Sequence, residues 1–175
     1  MRAFFSRNLY NCKIYNYRLY ILVLIFARLS YTLCHFFFEP ENLTEDQKQI
    51  LENSDILISE LKQVEIVVFG CPMYNFSISA SLKAYFDLCC RSGHTFTYTE
   101  KGPQGLLVGK KAVICTTSAG VPSGSEVDFV SSYMKQVCNF IGITDSTLIH
   151  ANGLMTGNQS EIIKSATNQI SLLLN

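Results

Sequence analysis

The sequence has no excess of charge of either sign and none of the common short motifs for phosphate binding or nucleophilic serine chemistry. Its 175 residues carry 14 basic and 14 acidic side chains, whereas a nucleic-acid-binding face normally needs a basic surplus. The patterns G-x-G-x-x-G, G-x-x-x-x-G-K-S/T and G-x-S-x-G are missing. We therefore expect no nucleic-acid partner, no dinucleotide fingerprint or P-loop and no α/β-hydrolase elbow. The residue types present do not by themselves exclude a Ser-His-Asp catalytic triad.

The sequence also lacks the spacings that hold metal ions. Its seven cysteines form no C-x-x-C pair, and its three histidines lie far apart without i, i+4 partners, so no metal site is expected. Four cysteines fall in or beside strand-like runs or on apolar helix faces: Cys71, Cys115, Cys89 and Cys138. This placement favours small core residues in a reducing compartment, and we expect a cytoplasmic protein.

Residues 1–40 differ from the rest of the chain. Basic residues precede an apolar stretch at 19–27, Arg28 follows it, and no glycine occurs before Gly70. An arginine near the bilayer centre costs roughly 2.5–3.5 kcal/mol, so membrane contact through residues 19–38 stays open but is not favoured. The alternatives are a truncated or mis-started front end and a packed but unusual structural element. We therefore divide the chain into an atypical segment, 1–40, and a domain, 41–175.

Within residues 41–175, helical and strand patterns alternate. Short apolar runs bounded by turn residues predict buried strands at 66–69, 111–117 and 146–151. Apolar residues at helical spacing predict helices at 44–62, 78–91, 127–141 and 158–173. Residues 95–108 predict a small hairpin outside the main sheet, with a turn at 102–105. This order predicts an α/β fold with a parallel sheet and right-handed crossovers.

Two loops follow the first two predicted strands. The first contains Met73, Tyr74, Asn75 and Phe76, and the second contains Thr117, Ser118, Ala119 and Gly120. Open α/β sheets bind ligands outside the carboxyl ends of their strands, where loop amides and aromatic side chains suit a flat polar ring. The alternative is that both loops are plain strand-to-helix turns.

The stretch PMYNFSISASLKAYFDLCCRSGHTFTYTEKGPQGLLVGKKA closely resembles the FMN-dependent NADH-azoreductases, relatives of the flavodoxin-like quinone reductases. The resemblance runs from about Leu43 to about Gly153. It implies a flavodoxin-like three-layer parallel sheet, tightly bound FMN, NADH as co-substrate and a homodimer. It also implies two-step hydride transfer from NADH through FMN to quinones or azo compounds, without an acid or base side chain. The residues implied to hold the flavin ring are Met73, Tyr74, Asn75, Phe76, Thr117, Ser118, Ala119 and Gly120.

The sequence departs from this family in two places. The second loop is usually Ser-Arg-Gly-Gly in the family, whereas it reads Thr-Ser-Ala-Gly here. The family also begins with a strand and a serine-rich loop whose amides hold the FMN phosphate, and residues 1–40 contain no such loop. We therefore expect a fold that is incomplete at its N-terminus. The rival reading is a non-catalytic truncated remnant, or a membrane-tethered interaction module of the same fold.

Overall fold

The computed structural model describes residues 44–173. Their helices are α1 (Glu45–Gln63), α2 (Ala80–Cys89), α3 (Phe129–Ile141) and α4 (Gln159–Leu173). Their strands are β1 (Ile66–Pro72), β2 (Phe96–Thr99), β3 (Gly102–Gly105), β4 (Lys111–Thr117) and β5 (Asp145–Ala151). The predicted order of elements is confirmed. The predicted segment 1–40 and the membrane contact considered for 19–38 lie outside the described residues, among which no helix is long and apolar enough to span a membrane.

The main sheet is parallel and has the order β1–β4–β5. Its register places Phe69 beside Ile114 and Ile114 beside Leu148. Since all three strands run in the same direction, their carboxyl ends meet at one edge of the sheet. The loops after β1, β4 and β5 therefore begin side by side.

One face of the sheet packs against α1, α2 and α3 and forms the main core. Phe69 and Ile114 lie on this face, and Phe86 of α2 and Met134 of α3 pack over them. The rings of Phe69 and Phe86 are 5.3 Å apart between centroids. On the opposite face, α4 packs against β5, where Ile149 is buried. This is the flavodoxin-like three-layer arrangement that was expected.

Strand β1 is longer and more exposed than the sequence predicted. It extends to Pro72 rather than ending at Phe69, and Ile66 and Val68 are 54% and 51% exposed. Among the described residues β1 pairs with β4 alone, and no described residue covers the face that carries Ile66 and Val68 well enough to bury them, although a parallel strand is normally covered on both faces. The prediction of a fully buried strand was wrong for that face.

The hairpin of β2 and β3 packs against the end of α3. The segment 102–105, predicted as a turn, is itself a strand, and Pro103 lies opposite Tyr98. A methyl group added to Gly105 would lie 2.1 Å from the backbone nitrogen of Gly142, the left-handed residue that ends α3. The absence of side chains at both glycines allows this close backbone approach.

Candidate flavin-binding site

The structure brings the two predicted loops together at the carboxyl edge of the sheet. Pro72 and Thr117 are aligned partners at the ends of β1 and β4. The backbone amide of Met73 donates a hydrogen bond to the carbonyl of Thr117 at 2.8 Å. The first loop (72–77) and the second loop (117–122) therefore form two neighbouring walls, whereas their role in holding a flavin ring stays a prediction.

The first loop contains a tight turn with an unfavourable backbone conformation. Tyr74 and Ser77 exchange two backbone hydrogen bonds of 2.9 and 3.0 Å, and the residues between them, Asn75 and Phe76, have φ angles of 49° and 70°. Positive φ at both central residues is the mark of a type I′ turn. Asn tolerates this region, whereas a bulky residue such as Phe is an outlier there. Such outliers cluster at functional sites.

The same turn exposes two aromatic side chains. Tyr74 is 57% exposed and Phe76 is 52% exposed, although large aromatic residues usually lie in a core. The strained turn therefore leaves two aromatic rings on the surface at the carboxyl edge of the sheet.

The second loop is built from small residues held by internal hydrogen bonds. The buried hydroxyl of Ser118 donates to the carbonyl of Val121 at 2.6 Å. Ala119 is not among the described residues with positive φ, so the methyl group that replaces the usual glycine adds no backbone strain. A methyl group added to Gly120 would meet Thr156 at 3.4 Å, an ordinary contact.

A third loop, residues 152–157 after β5, completes the site and was missed by the sequence reasoning. The amides of Leu154 and Met155 donate to the carbonyls of Ser118 and Ala119 at 3.1 and 2.9 Å. The Oδ1 atom of Asn152 is buried without a hydrogen-bond partner, and Met155 is 81% exposed. The sequence did indicate a ligand-binding loop here, because residues 152–157 also follow a predicted parallel strand and contain Gly153 and Gly157.

Behind the second loop, His150 connects β4, β5 and the segment that leads to α3. Its Nδ1 is hydrogen-bonded to the Thr116 hydroxyl at 2.7 Å, and its Nε2 to the Ser123 hydroxyl at 2.8 Å. Burial lowers the pKa of His150, and Lys135 lowers it further while Asp128 opposes both. The neutral imidazole therefore serves as a hydrogen-bonding link at neutral pH.

Asp128 fixes the start of α3 next to this link. Its carboxylate accepts hydrogen bonds from the amides of Gly124 and Ser131 at 2.9 and 3.1 Å and from the Ser131 hydroxyl at 2.6 Å. Burial alone would raise the pKa of Asp128, but these hydrogen bonds outweigh it and the pKa is lowered. Through these hydrogen bonds the charged N-cap residue Asp128 joins Gly124, which follows the second loop, to the first turn of α3.

The described residues supply no thiolate nucleophile near the loops. Burial raises the pKa of both Cys71 and Cys89 to about 12, so these thiols are protonated at neutral pH and behave as core residues. The described part of the chain also contains no group of three metal-ligating side chains. What the site offers is therefore backbone amides, hydroxyls and exposed rings.

These groups fit the ring of FMN. A flat polar heterocycle needs exposed aromatic cover and hydrogen-bonding groups at its edges, and Tyr74, Phe76 and the orphaned oxygen of Asn152 supply both kinds. Neither the first, the second nor the third loop carries a basic side chain for a phosphate. The fit is thus to the ring end of the cofactor.

Comparison with known proteins points in the same direction. Residues 17–174 match the model of a family described as having a flavodoxin-like fold. An FMN-dependent NADH:quinone oxidoreductase of Hahella chejuensis is 50% identical over 128 residues, which are 73% of this chain but 62% of that protein. A protein of the same name from a Jannaschia species is 42% identical over 78% of this chain and 71% of its own length.

Solved structures show the same relationship. An FMN-dependent NADH-azoreductase of Bacillus anthracis, crystallised in complex with FMN, superposes with a TM-score of 0.70 at 27% identity, covering 77% of this chain and 68% of that one. The azoreductase AzrA superposes with a TM-score of 0.74 at 26% identity. The chain therefore belongs to the flavodoxin-like family that contains the FMN-dependent NADH:quinone oxidoreductases and azoreductases.

Proposed function

We propose that this protein binds FMN and uses NADH to reduce quinones and azo compounds by two-step hydride transfer. The single observation that carries the proposal is the strained turn of the first loop, which leaves Tyr74 and Phe76 exposed next to Met73, whose amide is hydrogen-bonded to Thr117 of the second loop. Relatives of which this chain covers 62% and 71% are FMN-dependent NADH:quinone oxidoreductases, which supports the same chemistry here.

In this proposal the protein positions reactants rather than exchanging protons with them. FMN, when bound, supplies the ability to take a hydride from NADH and pass it to an acceptor. Tyr74 and Phe76 cover the ring, and Asn152 offers a hydrogen-bond acceptor. The flavin-contacting residues we propose are those of the first two loops: Met73, Tyr74, Asn75, Phe76, Thr117, Ser118, Ala119 and Gly120.

We further propose that the protein is cytoplasmic and acts as a homodimer. The free, buried cysteines suit a reducing compartment. Tyr98 and Val108, in and beside the hairpin, are 64% and 72% exposed and offer apolar surface to a second copy. Light scattering coupled to size-exclusion chromatography measures the oligomeric state directly, and a monomer at micromolar concentration would contradict the dimer.

FMN titration of the purified full chain tests the proposed function. We expect quenching of flavin fluorescence on binding, followed by NADH oxidation that depends on an added quinone. Phe76→Ala should weaken FMN binding about fivefold, because a ring stacked on a planar ligand contributes about 1 kcal/mol. Ile56→Ala is the matched control, since Ile56 is similarly exposed but lies in the middle of α1.

Two results would contradict the proposal. Absence of any FMN binding would indicate the truncated remnant. Equal loss of affinity in the Phe76 and Ile56 variants would show that the ring of Phe76 makes no specific contact with FMN.

A further inference from the structure

The face of the main sheet on which α4 lies is covered unevenly from one edge to the other. Ile149 of β5, Cys115 of β4 and Gly70 of β1 lie side by side in register. Ile149 is buried under α4, Cys115 is half-buried, and a methyl group added to Gly70 would meet nothing within 4 Å. Ile66 and Val68 lie on the same face of β1 as Gly70 and are more than half exposed. The described residues therefore cover β5 but leave β1 bare on this side.

The bare part of the sheet is a continuous apolar surface. Val113 of β4 is the register partner of Val68 and is only half-buried. Together with Cys115 and Ile66 these residues form what we call the β1 face: Ile66, Val68, Val113 and Cys115. Parallel sheets are normally covered on both sides, and contiguous exposed apolar surface marks a site of interaction. The β1 face is therefore built to be covered.

We propose that the apolar run at residues 19–27 of the same chain packs against the β1 face. The run reads LYILVLIFA and contains no charged side chain, as suits a segment that apolar surface surrounds. The family match covers residues 17–174, which include the run, and this supports its belonging to the same domain as the sheet. The contact is independent of the proposed function.

The connection between the run and the sheet is long enough for this contact. Residues 28–43 join the run to Thr44 and can span up to about 50 Å when extended. Helix α1 has 19 residues and is therefore about 28 Å long, and it leads to β1 through residues 64–65 alone. The whole of β1 is thus within reach of the run.

Attachment to the same chain also favours this occupant over the others. A segment held by a short flexible connection has an effective concentration near millimolar, well above that of a second copy in dilute solution. A run that entered a bilayer would take Arg28, which follows it directly, towards the apolar interior, where arginine is disfavoured.

Photo-cross-linking of the full chain tests the proposal. Val68→p-benzoylphenylalanine places a benzophenone on the β1 face, and the same substitution at Ile56, which is similarly exposed on α1, is the matched control. Trypsin releases the run as one peptide, residues 19–28, because Arg18 and Arg28 flank it. We expect cross-links to this peptide to be at least about fivefold more frequent from position 68, because only there would the run lie at contact distance. Equal yields from both positions would overturn the proposal.

Mixing unlabelled chains with heavy-isotope-labelled chains identifies the source of the cross-linked peptide. Cross-links that join only chains of the same label support the same chain as the occupant. Cross-links between differently labelled chains would assign the β1 face to a second copy. Attachment to phosphatidylcholine in the presence of vesicles of that lipid, without the peptide, would assign it to a membrane. Either of these results, or absence of the peptide, would overturn the proposal.

A charge on the β1 face provides an independent measurement. At neutral pH, Val68→Glu should lower the melting temperature of the full chain by about 5 °C more than Val68→Gln, because a carboxylate covered by the run loses water. The same pair of substitutions at Ile56 should differ by less than about 1 °C, since a charge there stays hydrated. Equal melting temperatures for the two Val68 variants, followed by circular dichroism, would show that the face is bare and would contradict the proposal. If Val68→Glu does not fold, the cross-linking yields decide.

Discussion

Replacing Gly105 by alanine should destabilise the protein because the hairpin would no longer fit against α3. The added methyl group would lie 2.1 Å from the nitrogen and 2.3 Å from the Cα of Gly142, and these backbone atoms cannot rotate away. Overpacking of this kind costs about 1–3 kcal/mol. Moving the hairpin would also break the 2.9 Å hydrogen bond from the Leu107 amide to the Ile141 carbonyl, at a cost of about 1 kcal/mol. We expect urea unfolding, followed by circular dichroism, to show a loss of about 3 kcal/mol.

Two other glycines provide matched controls. Gly70 has open space around it and an ordinary strand backbone, so Gly70→Ala should change the free energy of unfolding by less than about 0.5 kcal/mol. Gly102 also has open space but a φ of +107°, so Gly102→Ala should lose about 1–2 kcal/mol through backbone strain alone. A loss for Gly105→Ala no larger than that for Gly102→Ala would refute the argument from close contact.

Two further predictions concern His150 and the cofactor's phosphate. Because burial lowers the pKa of His150 below its ordinary value of 6.5, the unfolded chain takes up a proton first, and the free energy of unfolding should fall as the pH drops below 6.5. His150→Asn should flatten that fall when urea unfolding is compared at about pH 7.5 and about pH 5.5, and an equally steep fall would contradict the assignment. Since the sequence predicts no phosphate loop, riboflavin should bind within about threefold of FMN in fluorescence titrations. A preference for FMN of about a hundredfold would show a secure phosphate site, since each charge-assisted hydrogen bond contributes about 1.5–3 kcal/mol.

The order of the strands was predictable, and their exact extent was not. Runs such as KAVICTT are rich in apolar and β-branched residues and end at turn residues, which is typical of a parallel strand. The strand Gly102–Gly105 was predicted as a turn because Gly and Pro dominate its composition. This segment pairs with β2 and contacts Gly142, and contacts with other segments leave no local pattern in the sequence.

The candidate site was predictable in position but not in shape. The rule that ligands bind beyond the carboxyl ends of parallel strands located the first two loops, and it applies equally to the third loop, which was overlooked. The positive φ of Phe76 could not have been predicted, because Phe has no preference for that region. Likewise, the bonds from Leu154 and Met155 to the second loop join backbone groups, which any sequence could supply.

The hydrogen bonds between the loops and the pairing of their strands imply which loop would separate first on local unfolding. The second and third loops follow β4 and β5, and β4 is paired on both sides within the described sheet. The first loop follows β1, which, like β5, pairs there with β4 alone but, unlike β5 with α4 packed against it, leaves Ile66 and Val68 more than half exposed. Strands with fewer buried contacts open at lower free energy, so β1 is the least secure of the three. Loosening β1 would release Met73 from Thr117 while the Met155–Ala119 bond persists. The strained aromatic turn is therefore the part of the site whose geometry depends most on what covers the exposed face of β1.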